Sequence, residues 1–169
     1  DARAGEKILE IGFGTGHSIL ALAQSVGDRG TVYGIDISEG MCIVAQSRVN
    51  RTGLSQRVSL QCGDAVGLPF KAGIFDAIFM SFALELFDAS EIPTVLAECH
   101  RVLKGDGRVC IVAISKGNRS TVMLRLYEWF HERLPNYVDC RPIYAQKTLG
   151  QAGFRIDDVA DVSMWGLPV

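Results

Sequence analysis

The sequence predicts an α/β protein: a doubly wound, mostly parallel sheet with helices on both faces. Three observations predict it. Apolar, strand-like runs alternate with helix-like segments along most of the chain. The first run, "KILEIG" (7–12), passes straight into a glycine-rich loop and then a helix. Several strand runs are apolar at consecutive positions, as strands covered on both faces must be.

Each element follows from its own pattern. "KILEIG" reads as a buried strand, and Gly16 to Ser25 as a helix with apolar Ile19, Leu20, Leu22, Ala23 and Val26. "TVYGID" (31–36) is a second strand. Ser38 is placed to cap the next helix, which runs to about Asn50 and stops near Gly53. "RVSLQCG" (57–63) and "IFDAIFMS" (74–81) are the third and fourth strands. Ser90 is placed to cap a helix to about Lys104, with Gly105 just past its end and a turn at Gly105-Asp106. "GRVCIVAIS" (107–115) is the fifth strand. The segment 118–135 carries Val122, Leu126, Trp129, Phe130 and Leu134 at helical spacing and is rich in aromatics, and the irregular stretch 136–142 follows it. A helix near Tyr144–Ala152 ends at Gly153, and "FRIDDVADVSM" (154–164) reads as a sixth strand.

The 169 residues fit a single domain, 1–169, with 116–143 as a lid or acceptor insertion. Apolar residues make up 48% and the net charge is −2, which argues against disorder and against a broad basic face for nucleic acid. No apolar run approaches membrane-spanning length and no charged-then-apolar leader opens the chain. A cytoplasmic protein is expected. The five cysteines (42, 62, 99, 110, 140) have no CxxC spacing, so they read as reduced, mostly buried thiols, with no metal site expected. The chain opens on Asp1 and closes soon after a strand-like run, so both ends are expected to have been trimmed or to belong to a longer parent.

The chemistry concentrates around the first loop. Gly12, Gly14 and Gly16 allow a tight turn and close ligand approach, and the helix behind them aims free N–H groups at a carboxylate or phosphate. Asp36 ends the second strand, 20 residues after Gly16, where an acid can accept ribose hydroxyls. Together they imply an adenosine-type ligand. The dinucleotide pattern GxGxxG needs glycine at position 17, which is His17 here. Glu10 beside the loop would repel a pyrophosphate but suits a cationic, zwitterionic ligand.

With "ILEIGFGTG", "GIDIS", "GDAVGLPF...FDAI" and "LAECHRVLKGDGRVCIV" in this order, the chain resembles the class I S-adenosylmethionine-dependent methyltransferases. The likeness covers nearly the whole chain and lies nearest the ubiquinone/menaquinone biosynthesis methyltransferase-like group. It implies the Rossmann-like form of the fold, with S-adenosyl-L-methionine as cofactor and S-adenosyl-L-homocysteine as product. It implies that Glu10, Gly12, Phe13, Gly14 and Gly16 face the methionine part. Asp36 takes the ribose, Ile37 and Met41 flank the adenine, and Asp64 and the Ala65 amide meet its edge. Ser81 and Phe82 face the sulfonium and the acceptor. The family has seven strands and a helix before the first, so the sheet within 1–169 is expected to be incomplete.

The acceptor is expected to be a small molecule, apolar or ring-bearing, with quinol-like C-methylation favoured. Its pocket is assigned to Glu85 and Phe87 after the fourth strand, Tyr127 and Phe130 on the aromatic helix, and Tyr137 and Arg141 beyond it. Peripheral membrane contact follows if the acceptor is a prenylated quinol. None of His17, His100 and His131 is assigned as a base. The alternatives are a methyltransferase for lipid headgroups or other small O/N acceptors, a nicotinamide oxidoreductase, and a non-catalytic cofactor-binding module. Nucleic-acid methylation is disfavoured because "SFALELF", not an N/D-P-P-Y run, follows the fourth strand.

Overall fold

A computed structural model describes residues 2–114, 143–164 and 167–169. They fall into two compact units: 1–81 with 97–111, and 82–96 with 112–169. The first unit opens with β1 (Lys7–Ile11), α1 (His17–Val26), β2 (Thr31–Asp36), α2 (Glu39–Asn50), β3 (Val58–Cys62) and β4 (Phe75–Ser81). α3 (Ile92–Val102) leads directly into β5 (Leu103–Val112).

These five strands form one sheet in the order β3-β2-β1-β4-β5. β1 pairs in parallel with β2 (Ile8 opposite Val32) and with β4 (Ile8 opposite Ala77), and β2 pairs in parallel with β3. The Ile74 amide donates to the Val102 carbonyl and the Phe82 amide to the Val112 carbonyl, so β4 and β5 run the same way. The chain steps outward from β1 to β3 and then returns past β1 to β4. That reversal puts a crevice at the carboxyl ends of β1 and β4.

Alternation along β1 divides the core. Ile8 shares a cluster with Phe13, with Val32 and Ala77 of the neighbouring strands, with Ile19, Ala23 and Val26 of α1, and with Ala45 and Val49 of α2. Leu9 and Ile11 project to the opposite face with Ile78 and Met80, all fully buried. Tyr33, Phe70 and Phe75 meet edge to face, with centroids 5.1 to 5.9 Å apart.

Two boundaries differ from expectation. β5 begins at Leu103, so Gly105 and Asp106 lie within a strand rather than a turn. The Gly73 and Ile74 amides already bond to the Arg101 and Val102 carbonyls, so pairing begins where the helix ends. Nor does Ser90 emerge as the cap of α3: Glu91 Oε2 reaches back to accept the Asp88 amide, and the Ile92 amide bonds to the Asp88 carbonyl.

In the second unit, the Ile143 amide bonds to the Ile114 carbonyl ahead of α4 (Ala145–Gln151). The expected sixth strand over 154–164 does not form as read. Residues 154–162 have no regular structure, and only Ser163–Met164 (β6) pairs, antiparallel, with Leu167–Pro168 (β7). Ile156, Val159 and Val162 recur every three residues, not every two, and stay exposed; of these only Val162 is paired, exchanging both backbone bonds with Val169 beside β6 and β7. Among the described residues the parallel sheet has five strands. The aromatic segment 118–135, and with it Tyr127, Phe130, Tyr137 and Arg141, lies outside the described residues. So does all of the expected insertion except Ile143.

Candidate functional site

The carboxyl ends of β1, β2, β3 and β4 carry the residues assigned to the cofactor in the first unit. Gly12 and Gly14 both have positive φ in the loop after β1. Gly14, at φ +52°, has nothing within 4 Å of where a Cβ would stand, so its backbone borders open space. Gly16 answers to a different constraint. At φ +79° its Cβ would lie 2.9 Å from the Ala45 Cβ, so glycine lets the start of α1 pack on α2.

Asp36 ties the site together. One carboxylate oxygen accepts the Gly14 amide at 2.7 Å, and the other accepts the Ser38 amide at 2.9 Å. These two bonds lock the loop after β1 to the end of β2. A carboxylate has about four acceptor positions, so capacity remains for two ribose hydroxyls.

Glu10, the penultimate residue of β1, is 1% exposed. The Ser18 hydroxyl donates to its Oε1, while Oε2 is buried with no hydrogen-bond partner. Burial pushes this carboxyl up to about 7; the Ser18 bond opposes the rise and the Asp36 carboxylate adds to it. A buried acid with an unused oxygen beside a glycine loop matches a ligand bearing an ammonium group.

Ile37 and Met41 are 73% and 41% exposed, so both offer apolar surface beside Asp36 instead of filling the core. Asp64 caps the short 3-10 turn Ala65–Gly67 through Oδ1, which accepts the Val66 amide at 2.9 Å. Ala65 is buried and Ser81, at the end of β4, is half-buried. Phe13 needs correction as a ligand-facing side chain. It is 3% exposed in the α1/α2 core, and what it brings to the loop is its carbonyl, which accepts the Gly16 amide.

In the second unit, Phe82 has φ +52°, a conformation a bulky side chain rarely adopts. Glu85 is 1% exposed. Its Oε1 accepts the Ile114 amide at 3.3 Å, and burial raises its pKa. Phe87 is half-buried. His17 turns toward α2, where Arg48 Nη1 lies 2.9 and 2.6 Å from its two ring nitrogens.

Sequence reasoning missed Ser18 and Gly34. Gly34 sits opposite Glu10, and a Cβ there would lie 2.7 Å from the Phe13 ring. A glycine inside a strand is the readable sign of such close approach. The expectation of mostly buried thiols also fails: Cys99 is buried, Cys42 half-buried, and Cys62 and Cys110 exposed.

The family described as a methyltransferase domain matches residues 8–107, which contain every first-unit feature above. The chain belongs to this family. Its cofactor is S-adenosylmethionine, and the orphaned Glu10 oxygen, the spare acceptor capacity of Asp36 and the open space at Gly14 fit that molecule. Among curated relatives, a demethylmenaquinone methyltransferase of Symbiobacterium thermophilum is 34% identical over 90% of this chain and 64% of its own length. A 2-phytyl-1,4-naphtoquinone methyltransferase of Synechococcus elongatus is 35% identical over 66% of this chain and 47% of its own. The chain therefore spans about half to two thirds of such relatives. A solved SAM-dependent methyltransferase from Aquifex aeolicus superposes with a TM-score of 0.74 at 25% identity, covering 99% of this chain and 81% of that one. A solved [4+2]-cyclase, SpnF, superposes at 0.73 with 30% identity, covering 95% and 56%. Among the described residues, no helix is long and apolar enough to cross a membrane.

Proposed function

We propose that this chain transfers a methyl group from S-adenosylmethionine to a small apolar or ring-bearing acceptor, with a ring carbon of a quinol as the favoured target. The observation that carries the transfer reading is Glu10, buried beside the glycine loop with Oε2 unpartnered. When bound, the cofactor supplies an electrophilic methyl on a sulfonium, so the protein's main task is alignment. Glu10 accepts the ammonium of the methionine part, and Asp36 holds the ribose hydroxyls. The first turn of α1 offers free N–H groups to the carboxylate. Ile37 and Met41 cover the adenine, and Asp64 and Ala65 meet its edge. Ser81, the last residue of β4, and Phe82 just after it face the sulfonium and the acceptor, and Glu85 and Phe87 contribute to the acceptor side.

The acceptor class is supported by the quinone-related names of relatives at about one-third identity. It is tested by incubating methyl-labelled cofactor with demethylated naphthoquinols, phospholipids and small phenols, then reading label on the product. Label on a quinol ring carbon is expected; label only on headgroups or on oxygen and nitrogen acceptors would replace the quinol reading. A second reading, a cofactor-binding domain without methyl transfer, is favoured by the likeness to a cyclase at 30% identity. Tight S-adenosylhomocysteine binding with no transfer to any acceptor would support it.

A further inference from the structure

Cys42 and Cys62 lie together against the strand end that carries Asp36. Cys62 is the last residue of β3 and stands opposite Asp36 in the β2/β3 register. Its thiol donates to the Ile37 carbonyl at 3.6 Å, while the Cys42 thiol, in the first turn of α2, donates to the Asp36 carbonyl at 3.6 Å. Both thiols therefore approach the carbonyls of two consecutive residues at one strand end. Cys62 is exposed, and half-buried Cys42 lines an open groove of about 700 Å³ with Ile43, Gln46 and Leu60. Among the described residues no group of three or more metal-ligating side chains forms, so the pair reads as a dithiol.

We propose that Cys42 and Cys62 form a dithiol site that a hydroperoxide oxidises to an intramolecular disulfide, weakening cofactor binding through the Asp36 strand end. The exposed Cys62 thiolate attacks the peroxide, whose O–O bond breaks. An alcohol, or water from hydrogen peroxide, leaves, and Cys62 becomes a sulfenic acid. Cys42 sulfur then attacks Cys62 sulfur. The S–S bond forms, the S–O bond breaks, and the departing hydroxide takes the Cys42 proton as water. Two thiols have lost two electrons to one hydroperoxide, and a dithiol reductant reverses the step. Cys62 is exposed and Cys42 half-buried, so peroxide reaches Cys62 first.

Closing the pair to an S–S bond of about 2.05 Å draws the start of α2 toward the end of β3. Both thiol contacts to the Asp36 and Ile37 carbonyls are lost. Asp36 is held by bonds of 2.7 and 2.9 Å to Gly14 and Ser38, so a shift of its backbone misaligns its carboxylate. This coupling rests on the ribose assignment of Asp36; disulfide formation does not.

The test treats the chain with hydrogen peroxide, blocks remaining thiols, digests with trypsin and titrates S-adenosylhomocysteine before and after oxidation. Cleavage after Arg48, Arg51 and Arg57 separates the two cysteines, so a linked peptide identifies the bond. A Cys42–Cys62 linkage reversed by dithiothreitol is expected, with Kd raised about tenfold in the oxidised chain. Cys62→Ser should bind as the reduced chain does and be insensitive to peroxide. Cys42→Ser should leave a Cys62 sulfenic acid that dimedone traps. Absence of the linked peptide overturns the site, and a linked chain with unchanged or lower Kd overturns the coupling. If the reduced chain fails to bind S-adenosylhomocysteine at all, the cofactor assignment falls, while the linkage result still decides the dithiol site.

Discussion

Single residues at the loop after β1 separate folding from ligand binding. Gly14 has positive φ with open space beside it, so Gly14→Ala should cost only about 1–2 kcal/mol of stability. The added methyl enters the space a ligand would use, so calorimetric affinity for S-adenosylhomocysteine should fall by more than stability does. Asp36→Ala should weaken that affinity by about 2–4 kcal/mol, as two charge-assisted bonds and the Gly14 tether are lost. Glu10 sets a pH dependence. Its folded value of about 7 exceeds the unfolded 4.5, so between these values the folded chain holds a proton that the unfolded chain has lost. Stability of the ligand-free chain should therefore fall by up to about 3 kcal/mol as pH rises through that window, and Glu10→Gln should flatten the denaturation profile. Ligand binding should release a proton at pH 6, shrinking toward zero by pH 8, as read by calorimetry in buffers of different ionisation enthalpy. The acid was legible from its place before the glycines; its burial and its Ser18 partner were not, because both depend on how α1 lies over β1.

At the scale of elements, the sheet was readable wherever a run had neighbours on both sides. β1, β2, β3 and β4 lie within a residue or two of their apolar patterns. α2 starts where its cap predicts, with the Met41 amide donating to Ser38 Oγ at 3.4 Å. The two misreadings share a cause. A turn at Gly105-Asp106 and a strand over 154–164 were inferred from local residue type, but a strand exists only where a ladder partner stands beside it. The packing of α1 on α2 has its own test. Gly16→Ala adds left-handed strain to a 2.9 Å contact with Ala45, and a loss of about 1–3 kcal/mol is expected in chemical denaturation. Ala45→Gly should recover part of that loss if the contact, rather than φ, dominates.

For the whole molecule, the longest-range tie described joins the segment before β1 to β5. Arg108 donates through two nitrogens to Glu6, at 2.7 and 2.8 Å, across 102 residues of sequence. The guanidinium holds the Glu6 carboxyl below its usual range. That stabilisation is present above the ordinary Glu pKa and disappears as pH falls through the depressed one. Glu6→Gln should cost about 1 kcal/mol at pH 7, with little further difference from the parent chain in acid. No short motif announces this pair, since it exists only when β1, β4 and β5 lie side by side. The sequence by itself determined the alternation of elements, the glycine loop, the acid after β2 and hence the family and cofactor, because these depend on spacing within a few residues. Only the tertiary structure decided that Glu10 is buried with an unused oxygen, that Phe13 is core, that Asp36 clasps Gly14, and that Cys42 and Cys62 both reach the end of β2. Each is a contact between residues far apart in the chain, and the register of neighbouring strands, not local residue type, brings them together.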